Sequence, residues 1–167
     1  EKVEEVLASN PKLAAMKSQI RLDMTADGLR IQIVDELNRA MFDSGSAMVQ
    51  PYMRDLLREI GSVLAEVPNR LTLEGHTDAQ RFAAGDRGYG NWELSSDRAN
   101  ASRRELVAGG LPDEHVLRVQ GLASSQLFEP ADPASPANRR ISIIVMNREA
   151  EERVLRPAAP EEPEKTE

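Results

Sequence analysis

Between Leu71 and Leu106 the chain reads LTLEGHTDAQRFAAGDRGYGNWELSSDRANASRREL, and the fold follows from how these residues divide. Leu71, Leu73 and Gly75 alternate with Thr72, Glu74 and His76, the two-residue period of a strand. A loop rich in Gly, Asp and Arg follows from Thr77 to Asn91. A helix is expected to begin near Ser95, with Ser95 and Ser96 as caps, and to end at Gly109-Gly110. That glycine pair supplies a left-handed cap, with Leu111 available for the accompanying apolar contact. Strand ends and helix starts meet at one edge of a sheet. Asp78 and Arg98 can therefore lie close, twenty positions apart.

Working outward, Val116 to Gly121 reads as another strand, Phe128 to Asn138 as a Pro-rich loop, and Ile141 to Met146 as a run apolar at nearly every position. So short an apolar run is expected to be a strand flanked by others. Upstream, Val49 to Val67 carries Tyr52, Met53, Leu56, Leu57, Ile60, Val63 and Leu64 at helical spacing, with Pro51 at the start. Ile20 to Thr25 and Leu29 to Val34 alternate on either side of Asp27-Gly28, a hairpin signal. The order strand, strand, helix, strand, helix, strand, strand implies an α+β fold: a two-layer sandwich, with helices on one face of a mixed sheet.

The expected organisation is a helical linker over 1–19, one domain over 20–148, and a short helix with a disordered tail over 149–167. Pro11 suits the first position of a second short helix within the linker. That segment either packs on the domain or serves to dimerise or tether. The tail, Pro157 to Glu167, is Pro, Glu and Ala without apolar period.

The formal charge of −7 argues against a nucleic-acid partner, which needs Lys and Arg to neutralise phosphates. Without cysteine there is no disulfide frame. His76 and His115 have no ligand-spaced partners, so no metal and no cofactor is expected. His76 reads as a hydrogen-bonded structural residue, and Trp92 as part of the core, with a cover over the helix entrance or part of a subunit contact as the alternatives. Carboxylate pairs such as Asp86 with Glu93, or Glu151 with Glu152, lack neighbours that would shift their proton affinity. Catalysis is not expected.

Asp78 and Arg98 together suit a ligand carrying both signs of charge. The carboxylate accepts from an ammonium group, and the guanidinium holds a carboxylate with two parallel hydrogen bonds. With Ser95 as cap, Arg98 would also lie beside unpaired helix N–H groups. By charge and spacing alone, Asp78 capping a turn and Arg98 pairing at the surface with Asp97, Glu93 or Asp78 explain the same residues.

Gly75-His76-Thr77-Asp78, Asn91 to Ala99 and Asn138-Arg139-Arg140 together resemble the OmpA-like peptidoglycan-binding domain. The resemblance covers about Leu29 to Asn147. It implies a non-catalytic site for the diaminopimelate-containing stem peptide, with Asp78 on the amino group and Arg98 on the carboxylate of the side chain's free end. Thr77, Asn91 and Leu94 would shape the pocket, Arg139 would add a polar contact, and Phe42 would lie near the rim. The loop Gln80 to Gly90 would form one wall. The run from Asn91 to Leu106, with Met41 to Ala47 and Pro51 to Asp55, is most similar to the family members that anchor flagellar motor stators. That implies a homodimer, a MotA-type stator subunit as partner, and a periplasmic domain of an inner-membrane-anchored protein. The chain opens with Glu1 rather than Met, and the membrane helix is expected to lie outside it. The alternative is an outer-membrane or lipoprotein-type tether of the same family.

Overall fold

The structure, a computed structural model, describes residues 2–36, 39–80 and 88–156. Two short helices, α1 (Lys2–Ser9) and α2 (Pro11–Ala14), precede a hairpin of β1 (Ile20–Thr25) and β2 (Gly28–Val34). Then come α3 (Pro51–Leu64), β3 (Leu71–His76), α4 (Asn91–Ala108), β4 (Val116–Gly121), β5 (Arg140–Met146) and α5 (Arg148–Leu155). The five strands form one mixed sheet in the order β1-β2-β5-β3-β4. β3 and β4 run parallel and are joined through α4, the crossover that parallel neighbours require. The other pairings are antiparallel.

The apolar run expected to be a flanked strand is β5, which lies between β2 and β3 and is buried along its whole length. Ile141, Ile143 and Val145 join Ile31, Ile33, Leu71 and Leu73 in the main core. Met53, Leu56, Leu57, Ile60 and Leu64, one stripe of α3, cover that face with Ala101 and Leu106 of α4. The two-layer α+β sandwich thus has α3 and α4 as its helical layer. Ile144 and Met146 point the other way, where Ala150 and Val154 of α5 cover one corner of the opposite face. Leu7, Leu13 and Met16, from the N-terminal helices and just beyond them, belong to the main core. Asn10 adds a hydrogen bond to Glu59 of α3 at 2.8 Å. The expected disordered tail, 157–167, lies outside the described residues.

Two local expectations shift. The hairpin turn is Ala26-Asp27, with Thr25 facing Gly28 across it. The Thr25 hydroxyl both accepts from the Asp27 N–H and donates to the Gly28 carbonyl, fixing the turn one residue earlier than Asp27-Gly28. The helix expected near Ser95, α4, begins at Asn91, a full turn earlier. Gly90 is its N-cap, and the Glu93 carboxylate reaches back to accept from the Gly90 N–H at 3.0 Å.

A glycine pair sets how closely α4 approaches the sheet. Gly75 and Gly121 face each other in the parallel β3–β4 ladder. A Cβ on Gly75 would lie 2.0 Å from the Ser95 carbonyl oxygen, and one on Gly121 2.2 Å from the Ser96 hydroxyl. The first turns of α4 therefore rest directly on the strand ends, which places Arg98 at the same edge as Asp78.

Candidate binding site

That edge of the sheet gathers the C-terminal end of β2, the end of β3, the start of β5 and the first half of α4. Thr77 and Asp78 leave β3 and are buried at 2% and 6% exposure. The Thr77 N–H donates to the Ala123 carbonyl at 2.8 Å, and the Ser95 hydroxyl accepts from the Ala123 N–H at 3.1 Å. These bonds fix the strand end against α4. Ser95 and Ser96 are thus not caps: both hydroxyls donate to the Trp92 carbonyl inside the helix.

Asp78 accepts from Arg139 Nη1 at 2.6 Å on one oxygen and from the Gln80 N–H at 3.0 Å on the other. Arg139 Nε donates to Asp35 at 2.8 Å, so one guanidinium bridges two acids. Burial opposes its charge, but the hydrogen bonds to Asp35 and Asp78 hold Arg139 above the ordinary arginine value. Asp35 also accepts from the Met41 N–H at 2.9 Å. Burial keeps the Asp35 carboxyl above the usual carboxylate range even though both donors pull it down.

Arg98 is 7% exposed and forms no ion pair within 4 Å of Asp78, Glu93 or Asp97. Its Nε donates to the Ser46 carbonyl at 2.8 Å and its Nη2 to the Asp43 carbonyl at 3.3 Å. The guanidinium stacks over the Phe42 ring, 5.0 Å from its centre. Burial lowers the Arg98 pKa, and the charges of Asp35 and Asp78 oppose that. Arg98 is the eighth residue of α4, so it does not share the helix N–H groups that a start at Ser95 would have placed beside it.

Asp78, Arg139 and Asp35 therefore form one largely buried cluster, and Arg98, which is hydrogen-bonded to none of the three, lies near enough to feel their charges. Taken with Arg98, two acids and two bases leave it neutral. Leu94 is buried beside it at 4% exposure, and Asn91 donates to the Gln80 carbonyl at 3.0 Å, tying the helix start to the end of the β3 segment. Phe42 is not at a rim: it is 4% exposed and lies under the Arg98 guanidinium. Within the wall expected from Gln80 to Gly90, residues 81–87 lie outside the described residues, as does Asp86 of the proposed carboxylate pair.

Hydrogen-bonding capacity remains on both charges. A guanidinium has five N–H donors and a carboxylate about four acceptor sites. Arg98 spends two donors and Asp78 two acceptor sites on partners among the described residues. A groove of about 620 Å³ lined by Val6, Met24, Leu29, Val63 and Val67 lies at the opposite end of the strands. Its largely aliphatic lining offers no matched pair of charges. Among the described residues no group of three His, Asp or Glu could hold a metal ion.

Other expectations are corrected. Trp92, read as core, is 59% exposed: it is the second residue of α4 and is not among the residues that the helix buries. His76, read as a hydrogen-bonded structural residue, is buried at 4% exposure, but its Nδ1 has no hydrogen-bond partner among the described residues. Asp35 was not singled out in the sequence, and Asn138 and Arg140 were quoted only within the Asn138-Arg139-Arg140 motif. Asp35 ends the apolar strand β2, where a buried acid would have been the signal. Asn138, fully buried, accepts from the Glu129 N–H and donates to the Asp132 and Pro133 carbonyls, shaping the loop before β5. Arg140 donates to Gln32 and to the Gln126 carbonyl, pinning that loop to the sheet's other face.

A model of the OmpA family matches residues 41–140. Motility protein B of Escherichia coli (strain K12) is 51% identical over 153 residues, which cover 92% of this chain and 50% of that protein. The chain thus spans about half the length of this curated relative. Among solved structures, a MotB-like protein from Desulfovibrio vulgaris superposes with a TM-score of 0.73 at 16% identity, covering 88% of this chain and 93% of that one. The periplasmic domain of Helicobacter pylori MotB (residues 90–256) gives 0.68 at 18% identity, covering 81% and 83%. At these identities the two structures speak for the fold.

Proposed function

The chain belongs to the OmpA family, and from that premise we propose that it binds peptidoglycan without catalysing any reaction and anchors a flagellar motor stator to the cell wall. The observation that carries this is the neutral, largely buried cluster in which Asp78 and Arg98 each keep hydrogen-bonding capacity beyond their partners among the described residues. The identity to Motility protein B supports the stator over an outer-membrane or lipoprotein-type tether.

The ligand is the diaminopimelate-containing stem peptide, whose side chain ends in an ammonium and a carboxylate on one carbon. Asp78 accepts from the ammonium, and the free N–H groups of Arg98 donate to the carboxylate. Phe42 supports the guanidinium from below, which leaves its edge for the ligand. Arg139 neutralises Asp78 in the unliganded site and moves its share of charge toward Asp35 as the ammonium arrives. Thr77, Asn91 and Leu94 hold the strand end and helix start at the spacing the ligand needs. Two opposite charges held by fixed partners favour a zwitterion over a simple amine or acid, since either alone would leave one buried charge unanswered.

In the whole protein the domain lies in the periplasm, joined to an inner-membrane segment, works as a homodimer and acts with a MotA-type subunit. Co-sedimentation with purified sacculi tests the binding reading. Asp78→Ala and Arg98→Ala are each expected to cost roughly 2–5 kcal/mol of binding, with an unchanged circular dichroism spectrum. Sedimentation of both variants at the level of the unsubstituted chain would remove the site, and release of soluble fragments from the wall would remove the non-catalytic reading.

A further inference from the structure

Asp35 stands at the centre of the cluster, yet it is 6% exposed and has both carboxylate oxygens occupied. Its Oδ2 accepts from Arg139 Nε at 2.8 Å, and the same guanidinium reaches Asp78 through Nη1 at 2.6 Å. Its Oδ1 accepts from the Met41 N–H at 2.9 Å. Met41 opens the turn that carries everything Arg98 leans on: the Phe42 ring, the Asp43 carbonyl and the Ser46 carbonyl. The turn is closed by the Asp43 N–H on the Met48 carbonyl at 3.0 Å and the Gln50 N–H on the Met41 carbonyl at 2.9 Å, so its position follows that of Met41. One carboxylate thus fixes the partner of Asp78 with one oxygen and the cradle of Arg98 with the other. No other side chain in the cluster touches both halves.

We propose that Asp35 is the positioning residue of the peptidoglycan site, coupling the two ligand-gripping charges without touching the ligand. This rests on the reading of Asp78 and Arg98 given above. With the carboxylate in place, Arg139 is held back from swinging wholly onto Asp78, which leaves that acid available to an ammonium group. The turn over 41–48 is also held at the height where Arg98 presents its free N–H edge. Losing the Asp35 charge releases both constraints together. Arg139 then pairs with Asp78 alone and competes with the ligand, while the Arg98 cradle drifts.

Asp35→Asn tests this, because an amide keeps the size but loses the charge that holds Arg139. It also has one acceptor oxygen where the carboxylate has two, so the Met41 N–H and the Arg139 Nε–H can no longer each have an oxygen of their own. Arg139→Lys breaks the same link from the other element, since a single ammonium cannot bridge two acids as a fork does. Both chains, with Asp78→Ala and Arg98→Ala as references, are measured for binding to purified sacculi and to free meso-diaminopimelic acid. The Nε–H resonances of the arginines are followed by ¹⁵N NMR. Asp35→Asn is expected to bind at least tenfold more weakly. It should also shift the Arg98 Nε–H signal, through the turn and through the charge that Asp35 exerts on Arg98, although residue 35 makes no hydrogen bond to Arg98. Arg139→Lys should weaken binding similarly, which keeps the test open should Asp35→Asn not fold. Binding by folded Asp35→Asn, or by Arg139→Lys if Asp35→Asn does not fold, within twofold of the unsubstituted chain, while both references fail, overturns the coupling and leaves the site intact. Lost binding with an unmoved Arg98 signal also overturns it, because Asp35 would then meet the ligand itself. Normal binding by the references removes the site, and this inference with it.

Discussion

Arg139 has neighbours in sequence that do quite different work: Asn138 shapes a loop, and Arg140 pins that loop to the far face of the sheet. Arg139 alone enters the charge cluster, where its side chain is 28% exposed against 5% for Asp35 and 9% for Asp78. Removing one partner of a buried ion pair leaves an uncompensated charge and typically costs 3–5 kcal/mol. Arg139→Met strands two carboxylates, but its own partial exposure lets water answer some of that charge. We expect a loss of about 3 kcal/mol in urea unfolding at pH 7, with about half recovered in the Asp35→Asn, Arg139→Met double variant. Additive losses in that cycle would mean the two residues are not coupled. The same residue shows why part of the site could be read in the sequence and part could not. Asp78 and Arg98 stand out as charges at a strand end and on a helix flank, within one motif. Asp35 does not, because its partner lies 104 positions away and only the folded sheet brings the end of β2 beside the start of β5.

The strands were readable because their alternation is local, and β5 because a run apolar at nearly every position, broken only by Ser142, calls for burial on both faces. The start of α4 was not. Ser95 is a good cap residue in isolation, but the Glu93 carboxylate caps a glycine and draws the helix start back to Asn91, leaving the Ser95 hydroxyl to hold Ala123. What the helix needs at Ser95 is closeness to the sheet, and the glycine at the end of β3 provides it. Gly75→Ala sets a methyl group against the Ser95 carbonyl, a backbone atom that cannot swing aside. Overpacking of this kind costs about 1–3 kcal/mol. Because α4 carries Arg98, its displacement should reduce sacculus binding beyond what the loss of folded protein explains. Measured at a urea-free temperature where the variant remains folded, undiminished binding would show that the helix position is not critical to the site.

Acid stability belongs to the whole molecule, since every titrating group contributes to it. The chain carries a net charge of −7, so protonating acids relieves self-repulsion and by itself favours the compact state as pH falls. Asp35 adds to that trend. Its folded pKa is raised by burial, so protonation favours the native state and acidification through its range adds stability. His76 works in the opposite direction. Burial first, then the nearby charges of Arg140 and Arg30, push its pKa down from 6.5 to about 3. The proton therefore binds the unfolded chain more tightly. The stabilisation present above the unfolded value is lost as pH falls from about 6.5 toward 3, at up to about 1.4 kcal/mol per pH unit. A decline in unfolding free energy between pH 6.5 and 5 thus carries the sign of the histidine and is opposite to that of Asp35. Glu59, whose pKa the Asn10 hydrogen bond lowers, acts in the histidine's direction but in the carboxylate range below that window. His76→Gln, which has nothing to protonate, is expected to abolish most of that decline in urea unfolding series taken at successive pH values. Parallel curves for the two chains would mean that the proton is taken up elsewhere, and that the buried imidazole at the end of β3 plays no part in setting the pH range over which the binding edge stays assembled.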